Sequence, residues 1–484
     1  MHQTIDKMQT IFMLRILLSL FLICTAGLGL SPSALAQDED PVNAESVGQA
    51  QGLQRLSLDQ AISRVLSVNP GIESAQKDLL ISQAQFEEAR NVSILPKSSL
   101  RVLGGLVPDV PNGSGPENNF PEVDTSLTDL GPFLRLRLEA FQPIYTFGKI
   151  SNLRKAAKLG VQIKEEGVEL ARNQLIYETK RAYYGLEFLQ SMKAFIEDLQ
   201  IRAHTARDIV EDMLKKPGTE VTDIDLMRID LFIAETERRM VEAINNIDFT
   251  KMVLKVLMAS PREEDFEIES KEMVARSMLP LQSVEEYLEL AHEHRPEIAQ
   301  IEAGVEARKY LMLEKRSQFF PTLGIGGFYN FGLAPGRQEV NNPFLVDQFH
   351  INSGGGALGL EQNLSFHMTQ AKHKKAKAEY EKTLADQQRA FQGIEIEVRN
   401  AHTQAMSKYQ AVESSQKALK HGRSWVLAST LNFGTGIAPP KDLLEAFIGY
   451  STVKATFFET LYSYHNSLAV LSKAVGMELA DLKY

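Results

Sequence analysis

The chain repeats its own pattern at about half its length. Residues 57–70 (SLDQAISRVLSVNP) and 283–296 (SVEEYLELAHEHRP) align without a gap at an offset of 226 residues. A further proline follows each segment, and these two residues, Pro96 and Pro321, are 225 positions apart. Because solenoid repeats are only about 20 to 50 residues long, this spacing indicates a duplicated half-protein.

The N-terminal residues 1–36 have the pattern of a secretory signal. An apolar stretch covers residues 11–30, and the sequence ALA at residues 34–36 is typical of a cleavage site. The only cysteine, Cys24, lies inside this segment, so the mature chain has no thiol for a disulfide or a metal site. The acidic residues that follow, over 37–55, predict a disordered leader.

The duplication divides the rest of the chain. We predict a first structural repeat over residues 56–278 and a second repeat of the same order over residues 279–484. Each repeat is expected to contain a short helix, a proline, two strands separated by a loop, and a long helical hairpin.

Composition and motifs narrow the function. The formal net charge of −10 disfavours a nucleic-acid surface. No segment after the signal offers about 18 consecutive apolar residues, so we predict no transmembrane helix. The sequence contains no nucleophile elbow, P-loop or dinucleotide fingerprint, and this indicates a protein that is not an enzyme and uses no cofactor. An exported chain of this kind is periplasmic, secreted, or built into an outer membrane by strands.

Alternating residues predict strands in both halves. In residues 133–141 (FLRLRLEAF), Leu134, Leu136, Leu138 and Ala140 fall on one face, and Arg135, Arg137 and Glu139 on the other. Residues 323–331 alternate in the same way, whereas residues 97–107 and 356–364 give weaker signals. Two soluble β-hairpins with long loops would explain this pattern as well as membrane strands would.

Heptad spacing predicts very long helices. Apolar residues recur every seven positions from Val168 to Val210, and the positions three further on are also apolar except Glu178. A second seam from Leu384 to Phe433 has small or polar residues at the corresponding positions. A continuous helix over residues 148–216 would be on the order of 100 Å long. It therefore needs the returning helices, 222–258 and 442–475, and neighbouring chains to cover its seam.

Strands in lipid raise a problem of closure. Every backbone polar group in the hydrocarbon layer must be paired, and only a closed barrel pairs all of them. Four strands are too few, because known barrels start at about eight. The chain is therefore expected to oligomerise, each copy lending four strands to one barrel.

The order of motifs resembles that of the TolC-type outer-membrane efflux proteins. The similarity rests on the LSLDQAI start at residues 56–62 with Asn69-Pro70, on QPIYTFGK at residues 142–149, and on DLLEA at residues 442–446. It extends over nearly the whole mature chain.

This resemblance implies a mainly α protein with a membrane β-barrel. Duplicated strand–helix halves would form a homotrimer with a 12-stranded barrel in outer-membrane lipid, continuous with an α-helical tunnel in the periplasm. The implied function is a passive exit duct of a tripartite efflux or type I secretion system. Its implied partners are a periplasmic adaptor and an inner-membrane transporter.

The resemblance also points to an aperture at the periplasmic tip. Asp442 and Glu445 match the family's acidic pair, which narrows the tunnel, and Asp223 matches an acidic position of the other hairpin. A tyrosine and an arginine that lock the tip in the family's best-known member correspond here to Phe433 and Ala438. The lock is therefore expected to be missing or rebuilt. For the two acids, a helix-start role is the alternative, because carboxylates are favoured in a first helical turn.

Other polar clusters have simpler interpretations. His292 with His294, and His367 with His373, lack the spacing and carboxylate of a helical zinc motif, so we expect surface histidines rather than a metal site. The lysine-rich residues 372–377 follow a strand end, and would lie near lipid head groups or form a solvated face.

Two other classes of protein remain as alternatives. A periplasmic adaptor would have long hairpins but no duplicated strand–helix order. A soluble coiled-coil scaffold would explain the heptads but neither the signal nor the paired strands.

Overall fold

The computed structural model of the protein describes residues 54–108, 130–216, 221–261, 265–269, 272–274, 281–337, 339, 346–435 and 437–479. The predicted signal, and the leader up to residue 53, lie outside these residues. Residues 54 and 55, which were included in the leader, instead belong to a short strand.

The described chain contains fourteen helices and strands. In chain order they are β1 (Gln54–Leu56), α1 (Leu58–Val68), α2 (Pro70–Ile94), β2 (Lys97–Pro108), β3 (Leu130–Tyr145), α3 (Lys149–Leu214), α4 (Asp223–Leu257), β4 (Phe266–Ile268), α5 (Val284–His294), α6 (Pro296–Ser317), β5 (Thr322–Leu333), β6 (Asn352–Glu361), α7 (Phe366–Gly434) and α8 (Pro440–Val475). No helix among them is both long and apolar enough to cross a membrane.

The two aligned segments start their helices in the same way. The hydroxyls of Ser57 and Ser283 accept hydrogen bonds from the backbone N–H groups three residues later, at 3.2 and 3.4 Å, and so cap α1 and α5. The prolines at the ends of the segments then begin α2 and α6. Helices of 25 and 22 residues follow these prolines, and the predicted order did not contain them. The strands themselves begin where they were predicted, directly after Pro96 and Pro321.

The residue before each proline binds the end of the returning helix in its own half. Asn69 Nδ2 donates to the carbonyl of Leu257 at 2.8 Å. Arg295 Nη1 donates to the carbonyl of Ala474 at 3.0 Å. Carbonyls in a last helical turn have no partner within the helix, so the repeat supplies a side-chain donor at the same point of both halves.

One antiparallel sheet joins the halves. Its four strands lie in the order β2-β3-β5-β6, and β3 pairs with β5 across the duplication. The alternative of two separate β-hairpins is therefore wrong. Strand β6 begins and ends a few residues before the predicted range 356–364. Strands β2 and β6 form the two outer edges of the sheet.

The register of the sheet separates apolar from polar side chains. Leu136 lies opposite Val102 on β2 and Phe331 on β5. Because directly opposed residues share a face, one face is mainly apolar over all four strands, with Ser98, Gln142 and Asn352 as polar exceptions. Its apolar residues are Leu100, Val102, Leu106, Leu134, Leu136, Leu138, Leu323, Ile325, Tyr329, Phe331, Leu333, Leu358 and Leu360. Most of these side chains are exposed in the single chain, up to 78% for Leu358.

The opposite face is mainly polar. Besides Leu103, Val107, Ala357 and three phenylalanines, it carries Lys97, Ser99, Arg101, Arg135, Arg137, Glu139, Asn330, Ser353 and Glu361. On this face aromatic rings pack directly against the backbone of glycine residues. A Cβ added at Gly324 would be 2.4 Å from Phe141 Cζ, and one at Gly355 would be 3.2 Å from Phe328 Cε1. Larger residues at these glycines would displace the rings.

The long helices are continuous over nearly the predicted ranges, with 66 residues in α3 and 69 in α7. On α7 the predicted seam is buried at Val398, Ala405, Val412 and Phe433, and small residues between them are buried too: Ala401, Ser415, Gly422 and Ser429. A Cβ at Gly422 would lie 3.7 Å from the Cα of Tyr450, so α7 and α8 approach closely there.

The seam on α3 differs from the prediction in its first half. Between Leu175 and Phe195 the buried residues include Thr179, Tyr183, Leu186, Glu187 and Ser191, whereas the predicted Ala171 and Ala182 are only half-buried. These buried positions recur mainly every four residues, so the buried stripe departs from the heptad positions in this part of the helix. From Ile196 to Val210 the heptad positions Ile196, Leu199, Ala203 and Val210 are buried as predicted, and Ala206 is half-buried.

Candidate functional site

The turns of the two helical hairpins are packed together by one hydrophobic cluster. Its buried residues come from α3, α4, α7 and α8: Ala203, Val210, Ile229, Ile233, Phe433, Leu443 and Phe447. The helix ends that carry the predicted acidic residues therefore share a core, and their relative positions are fixed by apolar packing.

Asp442 and Glu445 are both exposed on the first turns of α8. Pro439 caps this helix, Pro440 occupies its first turn, and the Asp442 N–H donates to the Pro439 carbonyl at 3.1 Å. Their spacing places the two carboxylates on one side of the helix. Glu445 also lies 3.7 Å from the ammonium of Lys441, a basic neighbour that the sequence interpretation did not consider.

Asp223 is exposed at the first position of α4. The capping function at this helix start belongs to its neighbours, because Asp225 accepts hydrogen bonds from the Thr222 N–H at 3.1 Å and from its hydroxyl at 2.8 Å. Arg228 pairs with Asp225 at 3.3 Å. Asp223 is thus left as an acidic group on the surface of the hairpin turn.

The two positions that depart from the family's lock have different surroundings. Phe433 is only 5% exposed and belongs to the shared cluster, beside a cavity of about 20 Å³ that Leu443 and Phe447 also line. Ala438 is half-buried in the turn, where its N–H donates to the Asn432 carbonyl at 3.2 Å. Phe433 therefore packs the hairpin turns together.

Basic side chains are concentrated on the polar face of the sheet. Arg101 lies directly opposite Arg137, and Arg135 follows on the same face of β3. Like charges in opposed positions destabilise a sheet. Arg137 is partly compensated by Glu139, whose carboxylate is 2.6 Å away.

The connection from β5 to β6 folds back onto this polar face. The ring of Phe349 lies between two guanidinium groups, 4.6 Å from Arg337 Cζ and 5.1 Å from Arg135 Cζ. Arg337 in turn pairs with Asp347 at 3.0 Å and donates from Nε to the Pro108 carbonyl at 3.2 Å. These contacts attach the connection to β2 and β3.

The described residues contain no cluster of His, Cys, Asp or Glu that could hold a metal ion. Among the histidines considered, His294 is exposed, and its Nδ1 lies 3.2 Å from the carbonyl of Leu290 on its own helix. The sites that this geometry offers are charged surfaces, and these can select ions or bind partners.

The fold is that of solved outer-membrane channels. The Campylobacter jejuni CmeC outer membrane channel has a TM-score of 0.70 to this chain at 17% identity, with 87% of this chain and 85% of that chain covered. The open state of the Neisseria gonorrhoeae MtrE outer membrane channel gives a TM-score of 0.71 at 17% identity, with 92% and 98% covered.

The sequence matches point to the same class. A family model described as outer membrane efflux protein matches residues 287–477. The alkaline protease secretion protein AprF of Pseudomonas aeruginosa is 21% identical over 353 residues, which cover 71% of this chain and 69% of that protein. The resemblance to the outer-membrane efflux proteins, predicted from the motif order, is thereby confirmed.

Proposed function

We propose that the protein is the outer-membrane channel-tunnel of a tripartite efflux or secretion system. It would be a passive exit duct that performs no covalent chemistry. The observation that carries this proposal is the four-stranded sheet, which has one continuous, exposed apolar face and leads directly into two long helical hairpins. A periplasmic adaptor and an inner-membrane transporter would deliver the cargo.

The sheet edges argue for an assembly of copies. Strands β2 and β6 each leave one row of backbone groups that must be paired in lipid. Two copies would supply eight strands and three copies twelve. The resemblance favours three, so that a 12-stranded barrel would continue into a helical tunnel in the periplasm. Neither a periplasmic adaptor nor a soluble scaffold would need such an apolar sheet face.

The mass of the purified assembly tests this proposal. We expect the mature protein to fractionate with the outer membrane, to need detergent, and to have three times the mass of one chain in mild detergent. The measurement is light scattering corrected for bound detergent. A stable monomer that is soluble without detergent would overturn the proposal and would favour one of the two alternative classes.

We further propose that Asp442, Glu445 and Asp223 line the periplasmic aperture. Three copies would give two stacked rings of carboxylates from α8, with Asp223 on the adjoining turn of α4. Such rings attract cations and bind multivalent ones. The ammonium of Lys441, 3.7 Å from Glu445, would weaken one ring by partly neutralising it. Phe433 and Ala438 lack the hydroxyl and the charge of the family's lock.

Channel recordings in planar bilayers test the acidic rings. The double substitution Asp442→Asn with Glu445→Gln should weaken cation selectivity and abolish block by trivalent cations. Lys441→Gln should have the opposite effect on selectivity, because it removes the compensating charge.

A matched pair on α4, Glu237→Gln with Asp248→Asn, removes two exposed carboxylates and should change neither property. If neutralising Asp442 and Glu445 left both selectivity and block unchanged, these residues would be helix-start carboxylates that point away from the tunnel.

A further inference from the structure

An aromatic cluster marks the end of the apolar face where the sheet meets the helices. The ring of Phe147 is 4.6 Å from that of Tyr145 and 5.3 Å from that of Phe320. All three are more than a third exposed. Tyr145 lies opposite Leu323, so it belongs to the apolar face. The backbone of Phe147 is in the left-handed region, with φ of 52°. This conformation is unfavourable for a residue with a bulky side chain. Phe147 adopts it at the point where its ring contacts Tyr145 and Phe320.

Basic residues follow this aromatic cluster on three helix ends. Residues 149–158 of α3, 306–316 of α6 and 366–377 of α7 contain twelve lysines and arginines but only two acids, Glu306 and Glu314. Glu314 is buried and pairs with Lys315. This concentration contrasts with the net charge of −10 for the whole chain.

Side-chain contacts bring the three helix ends together. The ammonium of Lys155 on α3 lies 5.0 Å from the ring centre of Tyr310 on α6. Arg308 on α6 pairs with Glu379 on α7 at 3.4 Å. Helix α6 therefore contacts both neighbours, and the three groups of basic residues form one patch, which we call the basic belt. Its members are Lys149, Arg154, Lys155, Lys158, Arg308, Lys309, Lys315, Arg316, Lys372, Lys374, Lys375 and Lys377.

The positive charge of the basic belt is unfavourable for helices α3 and α7, whose N-terminal ends lie in the belt. The N-terminal end of a helix is positive, and acidic residues stabilise it. Neither α3 nor α7 has an acid in its first turn, and their first acids are Glu165 and Glu379. The helix starts add basic side chains instead. Glu314, Glu379 and Glu381 pair with four of the twelve basic residues, Arg308, Lys315, Lys375 and Lys377, and the belt keeps an excess of positive charge that favours anions.

We propose that the basic belt binds the head groups of anionic phospholipids. This inference rests on the proposed function, because the apolar sheet face must lie in a bilayer for the belt to reach its surface. Aromatic residues at the edge of an apolar band, followed by lysines and arginines, match the order of hydrocarbon, interface and charged head groups in a membrane. The occupant is thus a lipid phosphate at the inner border of the barrel.

Native mass spectrometry of the detergent-purified protein tests this proposal. The protein is incubated with dioleoyl-phosphatidylglycerol or dioleoyl-phosphatidylcholine, and the lipids retained per assembly are counted over a concentration series. We expect the unmodified protein to prefer phosphatidylglycerol. Each lysine near an anionic surface contributes roughly a fivefold change in binding. Replacing Lys372, Lys374, Lys375 and Lys377 by glutamine should therefore weaken phosphatidylglycerol binding at least about tenfold.

The matched control removes the same charge from the other end of the same helix. Lys408, Lys417, Lys420 and Arg423, all exposed on α7, are replaced by glutamine and should leave the lipid preference intact. Equal binding of the two lipids by the unmodified protein would overturn the proposal. So would an unchanged preference in the belt variant, or full competition by millimolar inorganic phosphate, which would indicate a free-phosphate site.

Mass and conductance measured on the same preparations separate this inference from the proposed function. If the unmodified protein were monomeric and formed no channels, the proposed function itself would fail. If it formed conducting trimers without a preference for anionic lipid, only the lipid site would fail. A belt variant that altered ion selectivity but not lipid binding would place these lysines in the lumen and would also overturn the inference.

Discussion

Replacing Leu136 with arginine is expected to remove most of the assembled protein from the outer membrane. Leu136 occupies the centre of the apolar face, opposite Val102 and Phe331. A guanidinium on the lipid side of a barrel costs about 2 to 4 kcal/mol near the bilayer midplane. In a symmetric assembly every copy would carry this cost. The measurement is the amount of assembled protein in isolated outer membranes at equal expression.

Arg137→Leu is the matched control for this prediction. It changes the next residue on the same strand, whose side chain is on the opposite, polar face. The ion pair that it removes, with Glu139, joins side chains that are 54% and 48% exposed. Such pairs are worth about 0 to 1 kcal/mol, so assembly should be nearly normal. If the two variants were equally damaged, β3 would be a strand of a soluble protein with no lipid-facing side.

Replacing Arg295 with alanine is expected to destabilise the protein by about 3 kcal/mol. The guanidinium is 6% exposed, and it binds the Ala474 carbonyl at 3.0 Å, Glu297 at 3.2 Å and Glu397 at 2.5 Å. Burial by itself would lower the pKa of Arg295, but hydrogen bonds to Glu297 and then Glu397 raise it, so the side chain stays charged. Breaking a buried ion pair costs about 3 to 5 kcal/mol. The low end applies here because Glu397 is 45% exposed and can be solvated.

The expected observation is a lower thermal midpoint for loss of the helical circular-dichroism signal. Arg399→Ala, on α7 close to Glu397, is the control. Arg399 is 47% exposed and binds Glu285 and Glu395 at the surface, so its removal should cost under about 1 kcal/mol. Equal shifts in the two variants would contradict the anchoring role of Arg295.

Much of the fold could be predicted from local patterns. The short helix of each repeat, the strands that start after Pro96 and Pro321 and the alternation in β3 are determined by a few neighbouring residues, and the structure contains each of them. Helices α2 and α6 could not be predicted in the same way. Their amphipathic pattern is weak, and most side chains of α2 are exposed, so no clear periodicity distinguished them from extended chain.

The candidate site was only partly accessible from the sequence. Motif resemblance alone suggested that Asp442, Glu445 and Asp223 line the periplasmic aperture. All three side chains are exposed, which is consistent with that proposal. The packing of Phe433 in the shared cluster and the pairing of Lys441 with Glu445 became visible only in the structure. The lysine cluster in residues 372–377 could be recognised in the sequence. The other basic residues of the belt lie on α3 and α6, far away in the chain, so their proximity to this cluster could not be predicted.

The sequence by itself determined the duplication, the short helix of each repeat and the two-sided character of β3. The first is a property of the sequence, and the other two depend on interactions within a few residues. The tertiary structure alone decided that β3 pairs with β5, that one apolar face extends over four strands, and that three basic helix ends meet. Those features depend on register and on contacts between residues more than 100 positions apart, such as Arg295 with Glu397. Local sequence patterns contain no information about which distant surfaces will face each other.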